Sequence, residues 1–189
     1  PRCKSIRQII HATKLVKQAL YKLHLPHDHI APKLESSHVI YAIYNTKTPD
    51  NNIGQTSQEL YQRFRQHLYS GTRPHISIDP SHSDNRLLVQ RIAILGLKFW
   101  RIFALESIPH DDLISKKART SSRSRKLSPQ HKRNLRIFYQ RASPSERFWI
   151  HFLNSLHSPS NLKGLNTVLP TAELTSFQQY LLAQQPTYN

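Results

Sequence analysis

The apolar positions of the chain change period several times, and each change marks an element. Between residues 6 and 23, Ile6, Ile9, Ile10, Leu15, Ala19, Leu20 and Leu23 recur at roughly helical spacing, and Pro26 ends the run. From 38 to 44 the stretch HVIYAIY drops to a period of two. Val39, Tyr41 and Ile43 share one face of a strand, and Ile40, Ala42 and Tyr44 share the other. TKTPDNN is turn chemistry and NIGQT a short returning strand, which together predict a hairpin. Leu60, Phe64 and Leu68 then recur every fourth residue, the buried stripe of a helix. Thr56 and Glu59 read as a T-x-x-E capping box in front of it, and Arg63 and His67 stack one turn apart on its flank.

Residues 70 to 84 read as loop, Asn85 to Leu95 as a helix that Gly96 stops, and KFWRIFALE as a third strand. In SPSERFWIHFLNSL, Ser143, Pro144 and Glu146 fall at the N-cap, N1 and N3 positions of a second capping box. Phe148, Trp149, Phe152, Leu153 and Leu156 supply the apolar side of that helix. The loop SPSNLKGLN follows, and Thr171 is expected to cap a last helix through about Gln184. No internal repeat is visible.

Charge changes the picture more than length does. The chain has 189 residues, enough for one domain with appendages, and its 38% apolar content suggests that part of it is extended or partner-dependent. Lys and Arg total 27 against 11 Asp and Glu, a formal charge of +16 that repels itself unless a polyanion neutralises it. Nucleic acid or an anionic surface is the expected partner. No apolar run approaches the ~18 residues of a spanning helix. A single cysteine, Cys3, excludes an internal disulfide and a cysteine zinc cluster, and the histidines show no zinc spacing. Residues 1 to 27 carry Arg2, Lys4, Arg7, Lys14, Lys17 and Lys22 with no acid before Asp28. They read as a basic helix, with an organelle-targeting origin left open.

The segment 109 to 141 differs in kind. Between 115 and 141 it holds ten Lys or Arg and no acid, among them Lys116, Lys117, Arg119, Arg123, Arg125, Lys126, Lys132, Arg133 and Arg136. Its first part is expected to be disordered when free, and its later part, to Gln140, to be helical. With no Phe, Trp or Tyr in the block before Phe138, its run of serines, lysines and arginines suits phosphate-backbone contact rather than base reading.

The order of these blocks resembles the GIY-YIG nuclease family. VIY at Val39, Ile40 and Tyr41 stands for the first block and NIG at Asn52, Ile53 and Gly54 for the second. L-x-x-R-x-x-x-H at Leu60, Arg63 and His67 is similar to the family's arginine helix, ERFWIHFLNSL to its glutamate helix, and Asn166 of KGLN to its terminal asparagine. The resemblance runs from about 38 to 166. It implies an α/β (α+β) fold, a small, three-stranded, mostly antiparallel sheet flanked by helices. Residues 1–37 are then a basic helical extension, 109–141 a basic insertion, and 167–189 a C-terminal helix and tail. It further implies an endonuclease with one Mg²⁺ or Mn²⁺ held by Glu146. Arg63 would bind the phosphate, Tyr41 would orient or deprotonate the attacking water with help from His67, and Asn166 would hold the site together.

Each of these residues has a plainer reading as well. Glu146 caps its own helix, Arg63 is a solvated charge, His67 a polar neighbour, Tyr41 a core residue and Asn166 a turn residue. The second-block tyrosine is replaced by Asn52, which can hydrogen-bond a water but cannot act as its base, and Tyr44 or Tyr61 would have to supply the phenol. Two functions therefore stay open. One is a metal-dependent, phosphodiester-cleaving endonuclease acting on DNA or RNA. The other is a catalytically degenerate fold serving as an RNA-binding part of a ribonucleoprotein such as a mitochondrial ribosome. The expected location is intracellular, in an organelle under the second reading and otherwise in nucleus or cytoplasm.

Overall fold

A central strand buried along its whole length organises the molecule. In the computed structural model the described residues are 4–72, 86–109, 129–155, 161, 164–167 and 169–184. Strand β1, Val39–Asn45, lies between β2, Asn51–Thr56, and β3, Trp100–Ser107, in an antiparallel sheet of order β2-β1-β3. The hairpin register sets Tyr41 opposite Gly54 and Ile40 opposite Gln55. On the β3 side the register shifts between Ile40 and Tyr41, so that Leu105 bulges. The α+β class and the three-stranded antiparallel sheet are as the sequence led one to expect.

The period-two pattern of β1 feeds two cores. Ile40, Ala42 and Tyr44 face the first, with Ile9, Ala12, Val16 and Leu20 of α1, Lys4–Lys22, and Phe138, Ala142, Phe148 and Trp149 of α4, Pro129–Phe152. Val39, Tyr41 and Ile43 face the second, with Leu60 of α2, Leu60–Thr72, and Leu88 and Ile92 of α3, Arg86–Leu95. The helix read as an appendage is thus part of the core. Its phase also differs from expectation. The buried stripe runs through Ile9, Ala12, Thr13, Val16 and Leu20, while Ile10, Leu15 and Leu23 are exposed. Two small residues let α1 approach the sheet, and a count of large apolar residues alone misses them.

Three caps are corrected. Thr56 ends β2 and its hydroxyl accepts from the Gln58 N–H (3.1 Å), so it forms a local turn, and α2 starts only at Leu60. Ser143 and Pro144 do not open a helix, since α4 runs unbroken for 24 residues with Pro144 inside it. A proline there removes a backbone bond at a cost of about 3 kcal/mol. The buried series Phe138, Ala142, Ser145 and Trp149 continues through the proline at spacings of four, three and four, and this packing overrides the local preference. Thr175, not Thr171, caps α5, Ser176–Ala183, in a capping box completed by Gln178. α3 and the Gly96 stop stand as read, with Gly96 at φ 78° where other residues are strained.

Candidate active site

Two donors fix the rotation of α4 about its axis. Ser145 Oγ donates to Glu106 Oε1 (3.0 Å) and Trp149 Nε1 to Glu106 Oε2 (2.9 Å), joining α4 to β3. Burial pushes the Glu106 carboxyl above its usual range, and these two donors pull it back. With Ser145 and Trp149 turned to the sheet, Glu146 is carried to the outer edge of β2. There Gln55 Nε2 donates to Glu146 Oε2 at 2.8 Å.

Tyr41 reaches the same edge across the sheet. Its partner in the hairpin is Gly54, and a Cβ on that glycine would stand 2.6 Å from the Tyr41 hydroxyl. Only glycine lets the phenol lie across β2. The second-block glycine is explained by this contact.

In the first turn of α2, Arg63 donates through Nε to the Tyr41 hydroxyl (3.3 Å), and one turn later His67 Nε2 lies 2.9 Å from the same oxygen. Arginine only donates, so the Tyr41 oxygen accepts from Arg63, and a proton of Tyr41 directed to His67 Nε2 would leave the ring hydrogen on Nδ1. Burial, and then the Arg63 charge, hold His67 down to about 3, so its ring is neutral at physiological pH. Burial raises the Tyr41 pKa and Arg63 opposes that rise, leaving a protonated phenol. His67, only 4% exposed, is absent from the cleft lining and meets it through its contact with Tyr41.

Asn166 closes the exposed edge of β2. Its Oδ1 accepts from the Ile53 N–H (2.8 Å) and its Nδ2 donates to the Ile53 carbonyl (2.7 Å), as a neighbouring strand would. The backbone joins in, with Leu165 N–H donating to the Asn51 carbonyl at 2.9 Å.

A cleft of ≈ 340 Å³ results, lined among others by Tyr41, Asn52, Gln55, Arg63, Tyr139, Glu146 and Asn166. Residues far apart in sequence, on β1, α2, α4 and the segment after α4, meet there. Glu146 is the one acid of the lining among the described residues. Among the described residues no three His, Cys, Asp or Glu gather as a metal cage. A metal held by Glu146 would keep most of its ligands as water, which is the habit of Mg²⁺. The lining fits such an ion in one further respect. The amide whose nitrogen meets the carboxylate also carries an oxygen, Gln55 Oε1, that is buried and has no hydrogen-bond partner among the described residues.

Asn52 is 2% exposed and sits in the lining, where it leaves no phenol on β2. Neither expected substitute takes its place: Tyr44 packs in the first core and Tyr61, 62% exposed, lies outside the cleft. Among the described residues, the cleft's second phenol is that of Tyr139 of α4, 45% exposed. It was legible as a partner of Glu146 only if residues 129 to 152 were read as one helix, in which seven residues make two turns. Of the basic block, Lys132, Arg133 and Arg136 are exposed on α4, whereas Lys116, Lys117, Arg119, Arg123, Arg125 and Lys126 lie outside the described residues.

Comparisons with family models, with curated proteins and with solved structures find no match. The functional reading therefore rests on the cleft itself and on the resemblance of its residue pattern.

Proposed function

We propose that the chain binds nucleic acid through its phosphate backbone and hydrolyses a phosphodiester in the cleft between β2, α2 and α4, as a divalent-metal-dependent endonuclease. The observation that supports this most is the meeting of a phenol, a guanidinium and a carboxylate in one open cleft, from residues 41, 63 and 146.

Each side chain then has a task its geometry suits. Arg63 uses one N–H on Tyr41 and one on Gln66, keeping others for a phosphate and for the charge that grows on it. The Tyr41 oxygen accepts from Arg63 and gives its proton to His67, so one lone pair is left to accept a hydrogen from the attacking water. Its raised pKa suits orienting that water rather than deprotonating it. Glu146 would hold Mg²⁺ or Mn²⁺, which when bound supplies Lewis-acid polarisation of the phosphoryl group and stabilises the leaving oxygen. Asn166 keeps β2 in place beneath them.

The approach of the polymer follows from α4. Lys132, Arg136, Tyr139, Ser143 and Glu146 recur at spacings of four, three, four and three, one stripe on the helix. The stripe is about 21 Å long at ~1.5 Å per residue, and its cations can neutralise successive phosphates on the way to the cleft.

Asn52 favours a second reading, in which the cleft grips RNA without cutting it, inside a ribonucleoprotein such as a mitochondrial ribosome. The two separate on Glu146→Ala. Under the endonuclease reading, the variant loses Mg²⁺- or Mn²⁺-dependent cleavage of labelled DNA or RNA and still binds it. A wild type that cuts no substrate but co-sediments with RNA at moderate salt establishes the second reading instead.

A further inference from the structure

We infer that Gln55 is a second oxygen ligand of the divalent cation at Glu146, and that its amide turns over when the cation binds. The inference rests on the assignment of Glu146 as the metal-holding residue.

The carboxylate of Glu146 only accepts hydrogen bonds, so in the absence of a cation the neighbouring amide must present its nitrogen. Gln55 does so, with Nε2 2.8 Å from Glu146 Oε2. The consequence is that Oε1 points into protein, buried and without a partner. A half-turn of the terminal amide exchanges nitrogen for oxygen at almost unchanged positions and brings Oε1 beside Oε2. Two oxygens so close repel unless a cation lies between them.

The spacing fits that cation. Oxygens on adjacent corners of an octahedron with ~2.0–2.1 Å metal–oxygen bonds are ~2.9 Å apart. The observed 2.8 Å hydrogen bond between the amide and carboxylate termini holds them at a separation that the edge of a magnesium octahedron would also accept. One carboxylate, one neutral amide oxygen, and water or phosphate at the other corners make a donor set of hard oxygens that suits either ion. The chain also supports the pairing: Gln55 stands on β2, which Asn166 holds at Ile53, and Glu146 on the helix that Glu106 anchors. Both ligands are thus carried by braced elements.

The full chain is titrated with Mn²⁺, without nucleic acid, and free Mn²⁺ is followed by electron paramagnetic resonance. Wild type should show one site that Glu146→Ala removes. Gln55→Leu, which offers no oxygen, should weaken it at least 10-fold. Gln55→Glu is the deciding variant. It cannot donate to Glu146, so if Gln55 merely positions the carboxylate, this change weakens Mn²⁺ as much as leucine does. If Gln55 is a ligand, the added carboxylate oxygen binds as tightly as the amide or more so, increasingly as pH rises from 5 to 7. Weakening by Gln55→Glu, or no effect of Gln55→Leu, overturns the inference and leaves Glu146 as the metal residue. A wild type that takes up no Mn²⁺, or a Glu146→Ala variant that still does, overturns both.

Discussion

Gly54 lies directly across the hairpin from Tyr41, and the space its missing side chain leaves is filled by the phenol. A methyl group there would stand 2.6 Å from the hydroxyl and 2.7 Å from Cζ. Gly54→Ala should therefore push Tyr41 away from Arg63 and His67. Overpacking of this kind costs about 2 kcal/mol, which urea denaturation will measure. Unchanged stability would mean that the ring does not rest on the glycine.

The neutral state of His67 makes a pH-dependent prediction. The unfolded chain takes up a proton near the ordinary value of 6.5, while the native ring refuses one until about pH 3. Native stability is then full above 6.5 and falls as pH drops from 6.5 towards 3, by about 1.4 kcal/mol per pH unit for one proton. Glu106, whose native pKa is raised, acts with the opposite sign above 4.5, so a single protein shows only the sum. His67→Gln keeps an acceptor for Tyr41 and removes the titration. Between pH 7 and 5, wild type should lose about 2 kcal/mol more than this variant; parallel losses in urea melts would contradict a buried neutral ring.

Arg63 is expected to carry phosphate affinity. Arg63→Ala should weaken binding of a short labelled duplex or single strand about 10-fold and lower the slope of log affinity against log salt by about one. Arg63→Lys should recover only part of this, since lysine has no Nε–H to hold the Tyr41 oxygen while its terminus engages phosphate. Full recovery by lysine would reduce Arg63 to a simple charge.

Asn166→Ala strands the Ile53 N–H and carbonyl that the amide now pairs. A loss of about 2 kcal/mol follows. Amide hydrogen exchange at Ile53 should accelerate well beyond that at Ala42, on the central strand. Equal protection of the two amides would show that Asn166 does not seal the edge.

How much of this could be read from the chain depends on how local the cause is. The hairpin was legible because alternation and turn residues lie within about twenty positions, and the Arg63–His67 spacing because helices repeat. Their division of labour was not. Helical spacing sets both on one flank, yet Arg63 lines the cleft while His67 is buried behind Tyr41, because the central strand decides which face of α2 is inside. The continuity of α4 through Pro144 was hidden for the same reason, since capping signals are local and the packing that overrides them is not. Nothing local marks Gln55 or Tyr139: Gln55 meets Glu146 91 positions away, and only the folded sheet shows it.

The central claim is that the residues at 41, 63 and 146 form one hydrolytic site. Its most direct test is cleavage of labelled single-stranded, duplex and branched DNA and RNA by excess protein, with Mg²⁺, with Mn²⁺ and with chelator. Metal-dependent cutting of at least one substrate is expected, abolished by Glu146→Ala while that variant's binding stays within a few-fold of wild type. No cutting of any substrate under either metal, or cutting that persists in Glu146→Ala, would contradict it.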